Sequence, residues 1–318
     1  MSLPVAALVS AVLVLGLLVA AGAFTWVERR LLGLMQERLG PNRVGPFGAM
    51  QWVADTIKLM TKADKAPRGA DRALFTLAPL VASAPLLIGF GVMAAGPGLG
   101  LALFDTGLLF ALALLALTVW GVLMGGWASA SRYAILGALR AAAQLLSLEA
   151  VLALAALGPV MVAASFAPSA IVAAQSGLWF LWTQPLAAAL FLVAGVAAAH
   201  RLPFDLQESE TELVAGYMTE YSGMRFALFF LGEYVAMLLV SALFVTLFLG
   251  GWLGPLLPPP LWFAAKTGAV ALLFIWVRAA LPRPRFDQLV AAGWKLALPL
   301  ALANLLLTGV VLVMADRA

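Results

Sequence analysis

The sequence contains eight apolar runs that are close to the length needed to cross a lipid bilayer. They lie at 4–27, 73–95, 104–124, 137–163, 178–199, 226–249, 261–281 and 290–314. Roughly 20 helical residues cross about 30 Å of hydrocarbon. Because the bilayer core offers no water to the backbone, such runs must be helices, and the ten-residue alternation of a membrane barrel is missing. We therefore expect an all-α fold, a polytopic transmembrane bundle of about eight helices in a single domain over 1–318.

The composition supports a membrane protein. Hydrophobic residues make up 64% of the chain and charged residues 11%, with a mean hydropathy of +1.03, whereas about a quarter of the residues of a soluble domain are charged. The chain has no cysteine, which excludes disulfides and ligation of a metal or cluster by thiolates. The single histidine, His200, disfavours most other metal and haem sites.

Basic residues fall on alternate connecting segments. Segments 96–103, 164–177 and 250–260 hold none, and nearly all those outside the apolar runs lie in 28–72, 125–140, 200–225 and 282–289. Because cytoplasmic loops carry the excess of Lys and Arg, the second set is predicted to be cytoplasmic and both termini external. The net charge of +4 then reflects this sidedness and does not indicate nucleic-acid binding.

A cleaved signal peptide over residues 1–23 is the alternative for the first apolar run. This segment lacks a basic amino-terminal region, and its apolar stretch is longer than such peptides carry. Cleavage would also leave the basic segment 28–72 outside. We therefore interpret the run as the first transmembrane helix.

The first cytoplasmic segment opens with Glu28-Arg29-Arg30, a charge cluster that by itself indicates only a topological stop. The pattern predicts that the helix continues to about Arg38 and breaks at two Gly-Pro pairs around Asn42 and Arg43. Residues 49–62 then form a predicted amphipathic helix, too short to span. Its apolar face would lie in the membrane interface or pack on a partner.

The segment from His200 to Arg225 holds five of the fifteen acidic residues: Asp205, Glu208, Glu210, Glu212 and Glu220. Such acids are often simply solvated. Crowded carboxylates, however, raise one another's pKa, and they could exchange protons near neutral pH with acids inside the membrane. We favour this second interpretation because ionisable residues also occur within the adjoining apolar runs.

Three of the apolar runs carry an ionisable residue away from their ends. Glu233, Glu149 and Lys266 are predicted at roughly 12, 18 and 22 Å below the cytoplasmic surface. Each could belong to a separate structural pair, but intramembrane ionisable groups commonly mark ion or proton routes. Arg140 lies on the opposite side of the same helix from Glu149, so the partner of Glu149 must come from another helix.

These motifs closely resemble the family of the H subunit of bacterial NADH:quinone oxidoreductase, which is also that of mitochondrial NADH dehydrogenase subunit 1. The matching segments cover nearly the whole chain in order: ERRLLGLMQERLGPNRVGPFG from Glu28, the helix around Asp55, GWAS at 126–129, RLPFDLQESETELVAGYMTEYSGM from Arg201, GEY at 232–234 and RPRFDQ at 283–288. The combination of the first and fourth segments is very specific.

The resemblance implies a non-catalytic membrane subunit that joins the membrane arm to the peripheral arm of a respiratory complex. With peripheral subunits it would form the chamber that quinone enters from the bilayer. The quinone path would be lined by Arg29, Arg38, Asn42, Arg43, Phe47, Trp52, Asp55 and Lys58. The proton relay would comprise Glu149, Glu208, Glu210, Glu212, Glu220, Glu233 and Lys266.

The same resemblance implies that this chain binds no cofactor by itself and that flavin and iron–sulfur clusters belong to partner subunits. Quinone would be the substrate, and the location a bacterial inner membrane. The chain departs from the family at Leu148, Gln207 and Met218, where Tyr, Pro and His are common. The Tyr and His replaced here are two possible relay partners.

Two other functions fit a chain of this kind. One is the homologous membrane component of an energy-converting hydrogenase or formate hydrogenlyase, which the full GPNRVGP loop and the following amphipathic helix disfavour. The other is a stand-alone cation/proton antiporter, which transport by the purified chain in liposomes would support.

Overall fold

The computed structural model describes residues 3–100, 104–208 and 210–315, and all regular structure in them except one isolated bridge is helical. The helices are α1 (Leu3–Met35), α2 (Gln51–Thr61), α3 (Arg72–Phe90), α4 (Gly107–Ala128), α5 (Arg132–Ala163), α6 (Pro168–Ala174), α7 (Phe180–Thr183), α8 (Pro185–Ala198), α9 (Glu210–Leu213), α10 (Gly223–Phe248), α11 (Pro259–Ala280), α12 (Phe286–Ala292) and α13 (Leu298–Ala315). A π-helical segment, Gly293–Ala297, joins the last two. Helices α1, α3, α4, α5, α10 and α11 and the combined α12–α13 unit are long and apolar enough to cross a membrane.

The fifth of the eight predicted spans, 178–199, is not one helix. It is divided into α7 and α8 at Gln184, whose φ of −131° and ψ of 51° are not helical. Pro185 has no backbone N–H to continue the first helix and instead begins the second. The remaining 14 residues of α8 rise only about 21 Å, less than the hydrocarbon thickness.

Helix α10 lies at the centre of the bundle and packs against α3, α11, α1 and α8. Its core side chains, among them Met237, Leu239 and Leu243, are fully buried. The outer helix α1 instead exposes Leu8, Val12 and other apolar side chains. In a membrane such exposed apolar side chains can contact lipid tails, which are equally apolar.

The segment after α1 folds back onto the end of that helix. Helix α1 ends at Met35, three residues before the predicted end. A Cβ atom on Gly40 would lie 3.0 Å from the backbone oxygen of Arg29, and one on Gly48, where φ is +75°, would lie 2.2 Å from that of Pro41. Only glycine permits this close return of the chain. The predicted amphipathic helix is confirmed as α2, which packs against α1 and α10.

Candidate functional site

Two carboxyl groups face each other where the acidic loop meets the amino-terminal end of α10. Glu208 of the loop and Glu233 of α10 share a hydrogen bond, and the hydroxyl of Tyr217 bonds to Glu233. Burial, followed by the negative charge of Asp205, raises the pKa of Glu208 to about 7. The pair is therefore suited to hold and exchange a proton near neutral pH.

A tight turn places Tyr217 in this site. Gly216 has a φ of +52°, and a Cβ atom there would lie 1.8 Å from the backbone oxygen of Gln207. No larger residue could let the two parts of the loop approach so closely. The following turn, Gly216–Met218, buries the Tyr217 ring, which contacts Phe229 of α10 edge-on at 5.2 Å between centroids.

A buried and a partly buried arginine lie next to the carboxyl pair. Glu28, at 2% exposure, accepts from Arg201 Nη1 at 3.0 Å on one oxygen and from Arg278 on the other. The Arg201 guanidinium also lies 3.9 Å from the ring centroid of Tyr234, a cation–π contact that is strong when desolvated. This group joins the carboxy-terminal ends of α1 and α11 and the amino-terminal end of α10 to the acidic loop.

Asp205 is a second carboxyl group of the loop near this site, and it is buried. Its Oδ2 lies 3.4 Å from Arg283 Nη2, while its Oδ1 has no hydrogen-bond partner among the described residues. Burial raises the pKa of Asp205, and the charge of Arg283 opposes that rise. The carboxylates and the guanidinium groups thus form one coupled charge cluster.

The other loop acids lie further out. Glu212 forms an ion pair with Arg140 at 2.5 Å and is exposed. Glu220 is partly buried and has no ion pair within the described ranges. Glu210 begins α9, but its side chain lies outside the description. The structure therefore joins Glu208 to the intramembrane Glu233 and leaves Glu212 with a different partner.

Glu149 and Lys266 lie apart from the pair. Glu149 borders a cavity of about 390 Å³ between α4 and α5, and no residue in the described part of the chain pairs with it. Lys266 Nζ lies near the other, carboxy-terminal end of α10. It donates to the carbonyl of Leu249, which directly follows the helix, and to those of Gly251 and Leu253 in the turn beyond it.

The predicted quinone-path residues gather around the end of α1. Arg29 pairs with Asp55 of α2 at 2.5 Å, and Lys58 lies 3.8 Å from the same carboxylate. Trp52 packs so closely on Gly22 that a Cβ atom there would lie 2.8 Å from its ring. The remaining members are exposed on the returning loop: Arg38, Asn42, Arg43 and Phe47.

One side of α2 has no cover within this chain. None of the residues of α2 is buried, and Ile57 and Met60 are more than half exposed. Phe47, at the turn before the helix, is 78% exposed. Such an exposed apolar face indicates contact with lipid or with a partner protein.

The sequence-based set did not include Glu28, Arg201, Tyr217, Arg278 and Arg283. Glu28 was interpreted as a topological stop, and an arginine at the end of an apolar run, such as Arg278, is typical of positive-inside anchoring. The one available signal was a carboxylate directly at the end of an apolar run, where an unpaired charge is costly. Nothing in the pattern distinguished Tyr217. No group of three or more His, Asp or Glu able to hold a metal ion was found in the described ranges.

Comparison with known proteins gives consistent results. Residues 7–309 match the family model described as NADH dehydrogenase. The chain is 62% identical over 309 residues, 97% of each chain, to an H subunit of the NADH-quinone oxidoreductase of Rhodopseudomonas palustris (strain BisB5). It is 63% identical, again over 97% of each chain, to an H subunit of the same enzyme from Cereibacter sphaeroides. It is 51% identical over 93% of each chain to one from Geobacter metallireducens.

Proposed function

Because this chain belongs to the NADH dehydrogenase family, that of the H subunits of NADH-quinone oxidoreductases, we propose that it couples quinone reduction to proton translocation in such a complex. It would form the quinone entrance and chamber together with peripheral subunits. The charge change would then pass through Glu208 to Glu233 inside the membrane. The chain acts as a subunit and is not catalytic alone. None of the relatives named above supports the hydrogenase or antiporter alternative.

The contact between Glu208 and Glu233 is the observation that carries this proposal. One carboxyl group belongs to the cytoplasmic loop and the other to a transmembrane helix, and they share a hydrogen bond. Two like charges so close cannot both ionise at low cost, so one proton is held between them. Negative charge arriving near the loop would draw a further proton towards this pair. Glu149, deeper in the bundle, is the proposed next acceptor.

The arginines next to the pair keep part of this charge neutralised. Arg201 is bound by Glu28, and Arg283 by Asp205. Removing an uncompensated charge from water would cost several kcal/mol per ion. A rearrangement of these ion pairs during turnover would therefore change the charge felt by Glu208. We propose that the cluster links the loop position to the protonation of the pair.

The quinone path is proposed along the end of α1 and along α2. The ion pair of Arg29 with Asp55 would hold the entrance in shape, and the exposed apolar face of α2 would contact lipid tails or the isoprenoid part of the quinone. Flavin and iron–sulfur clusters are assigned to partner subunits. We place the chain in a bacterial inner membrane with both termini on the external side, as the distribution of Lys and Arg favours.

The test is NADH-driven turnover of the complete complex reconstituted in liposomes. Glu233→Gln should lower proton pumping at least tenfold, since the amide keeps the shape but cannot carry a proton. Glu37→Gln, an exposed acid on the first cytoplasmic segment, is the matched control. Asp55→Asn should raise the KM for long-tailed quinones more than it lowers kcat. Pumping at the wild-type rate in Glu233→Gln would refute the coupling role.

A further inference from the structure

A small cavity that Glu233 lines lies between α3, α4 and α10. It measures about 20 Å³, and its polar lining consists of Thr118 of α4, His200, Tyr217 and Glu233. A cavity needs about 10–15 Å³, and a water two to four polar partners, to hold one ordered water. Size and lining therefore suit a single water molecule and exclude anything larger.

The Glu233 carboxyl group presents an unpaired atom here. Its Oε1 is buried and has no hydrogen-bond partner among the residues that the structure describes. A buried acceptor without a partner is costly, and more so when the group is ionised. A hydrogen-bond donor placed in the cavity would satisfy this atom.

His200 lines the cavity and also contacts Gln207. Gln207 Nε2, which can only donate, bonds to His200 Nδ1. Burial lowers the pKa of His200 to about 4, so the ring is neutral at pH 7. A neutral ring that accepts at Nδ1 carries its proton on Nε2. The sole histidine of the chain is thus a donor of fixed tautomer.

Thr118 supplies the complementary acceptor. Its hydroxyl donates to the Leu115 carbonyl at 2.7 Å, which leaves its oxygen lone pairs free to accept. Leu115 also lines the cavity that Glu149 borders. One turn of α4 therefore separates Thr118 from that second cavity.

We propose that this cavity binds one ordered water, held by His200 and Thr118, that donates a hydrogen bond to Glu233 Oε1 and so lets the shared proton move between Glu233 and Glu208. The step is balanced: the proton leaves one carboxyl group and joins the other, and the water stays intact. The charged and titratable groups around Glu233 are Glu208, Asp205, Arg201, Tyr217 and His200. His200 is a positioning residue here, and the inference rests on the coupling role proposed above.

Isosteric variants of the reconstituted complex test the proposal. Thr118→Val removes the acceptor at constant shape and should slow NADH-driven pumping about tenfold, the effect of losing one hydrogen bond to a charged group. Thr118→Ser should restore the rate. Thr246→Val is the matched control, because its buried hydroxyl also bonds within a helix but does not line the cavity. His200→Phe should behave like Thr118→Val, and His200→Gln, which keeps a donor, should recover activity.

The outcomes separate this inference from the coupling role. If Glu233→Gln impairs pumping while Thr118→Val and His200→Phe match the wild type, the water site is refuted and the coupling role stands. If Glu233→Gln also pumps normally, both are refuted. A cryo-EM map of the complex at a resolution that shows waters should contain one peak within hydrogen-bond distance of Glu233 Oε1. A dry cavity in that map would overturn the proposal even if a variant failed to assemble.

Discussion

Neutralising Glu28 should strongly destabilise the end of the bundle that contacts the acidic loop. Its two carboxylate oxygens hold Arg201 and Arg278, and the side chains of Glu28 and Arg201 are only 3% and 5% exposed. Two other guanidinium nitrogens of Arg201 already lack partners among the described residues. Glu28→Gln would therefore leave the buried Arg201 without the carboxylate that forms its ion pair.

The expected cost follows from the burial of each partner. Removing one member of a buried ion pair destabilises a protein by about 3–5 kcal/mol, because the other charge stays desolvated. Arg201 bears this cost in full. Arg278, whose side chain is 33% exposed, can turn towards water and contributes little. We therefore expect a loss of about 3–5 kcal/mol from Glu28→Gln.

The assay is titration of SDS into mixed micelles of the purified complex, with protease cleavage of this chain as the readout of unfolding. Adding Arg201→Gln to Glu28→Gln should recover at least about 1 kcal/mol, since the double variant contains no unpaired buried charge. The exposed Glu37→Gln control should stay within about 0.5 kcal/mol of the wild type. An unchanged free energy of unfolding in Glu28→Gln would refute the reasoning.

Three further predictions concern Glu208, Lys266 and Gly137. The pKa of Glu208 is raised from 4.5 to about 7 in the folded chain, so its contribution to stability is complete below pH 4.5 and is lost as the pH rises through 7; Glu208→Gln should remove that part of the pH dependence in the same titration. Lys266→Met should destabilise the carboxy-terminal end of α10 by about 1.5–3 kcal/mol, because its three carbonyl acceptors lose a charged donor. Lys266→Arg should retain most of the stability, and an equal loss in both variants would contradict the capping role. Gly137→Ala would place its methyl group 2.7 Å from the Gly216 Cα. It should lower the free energy of unfolding by about 1–3 kcal/mol and slow coupled turnover. Gly268→Ala, which has open space around it, should change neither the stability nor the turnover.

The apolar runs predicted the fold class because backbone satisfaction in lipid leaves no alternative to helices. Composition and length placed seven of the eight spans. The interruption at Gln184 was not predicted, since Pro185 within an apolar run is compatible with a kinked helix as well as with a break. The side chain of Gln184 decides the outcome: it bonds to Asn304 and Thr308 of α13, more than a hundred positions away.

Contacts between distant parts of the chain also limited the prediction of the candidate site. Sequence reasoning identified Glu208 and Glu233 as ionisable groups at the membrane surface and below it, but it could not pair them. Glu28 contacts residues 173 and 250 positions further along, and no local pattern encodes such a contact. Lys266 was grouped with the acids by its depth alone, yet its ammonium group caps α10 at the opposite end.

The central claim is that Glu208 and Glu233 share a proton whose position responds to quinone reduction. Infrared difference spectra of the complete complex, recorded between the oxidised and quinone-reduced states, test it directly. The account predicts a change in the C=O stretching band of a protonated carboxyl group that disappears in both Glu208→Gln and Glu233→Gln and persists in Glu37→Gln. A carboxyl band that is unaltered by quinone reduction, or that survives in both site variants, would contradict it.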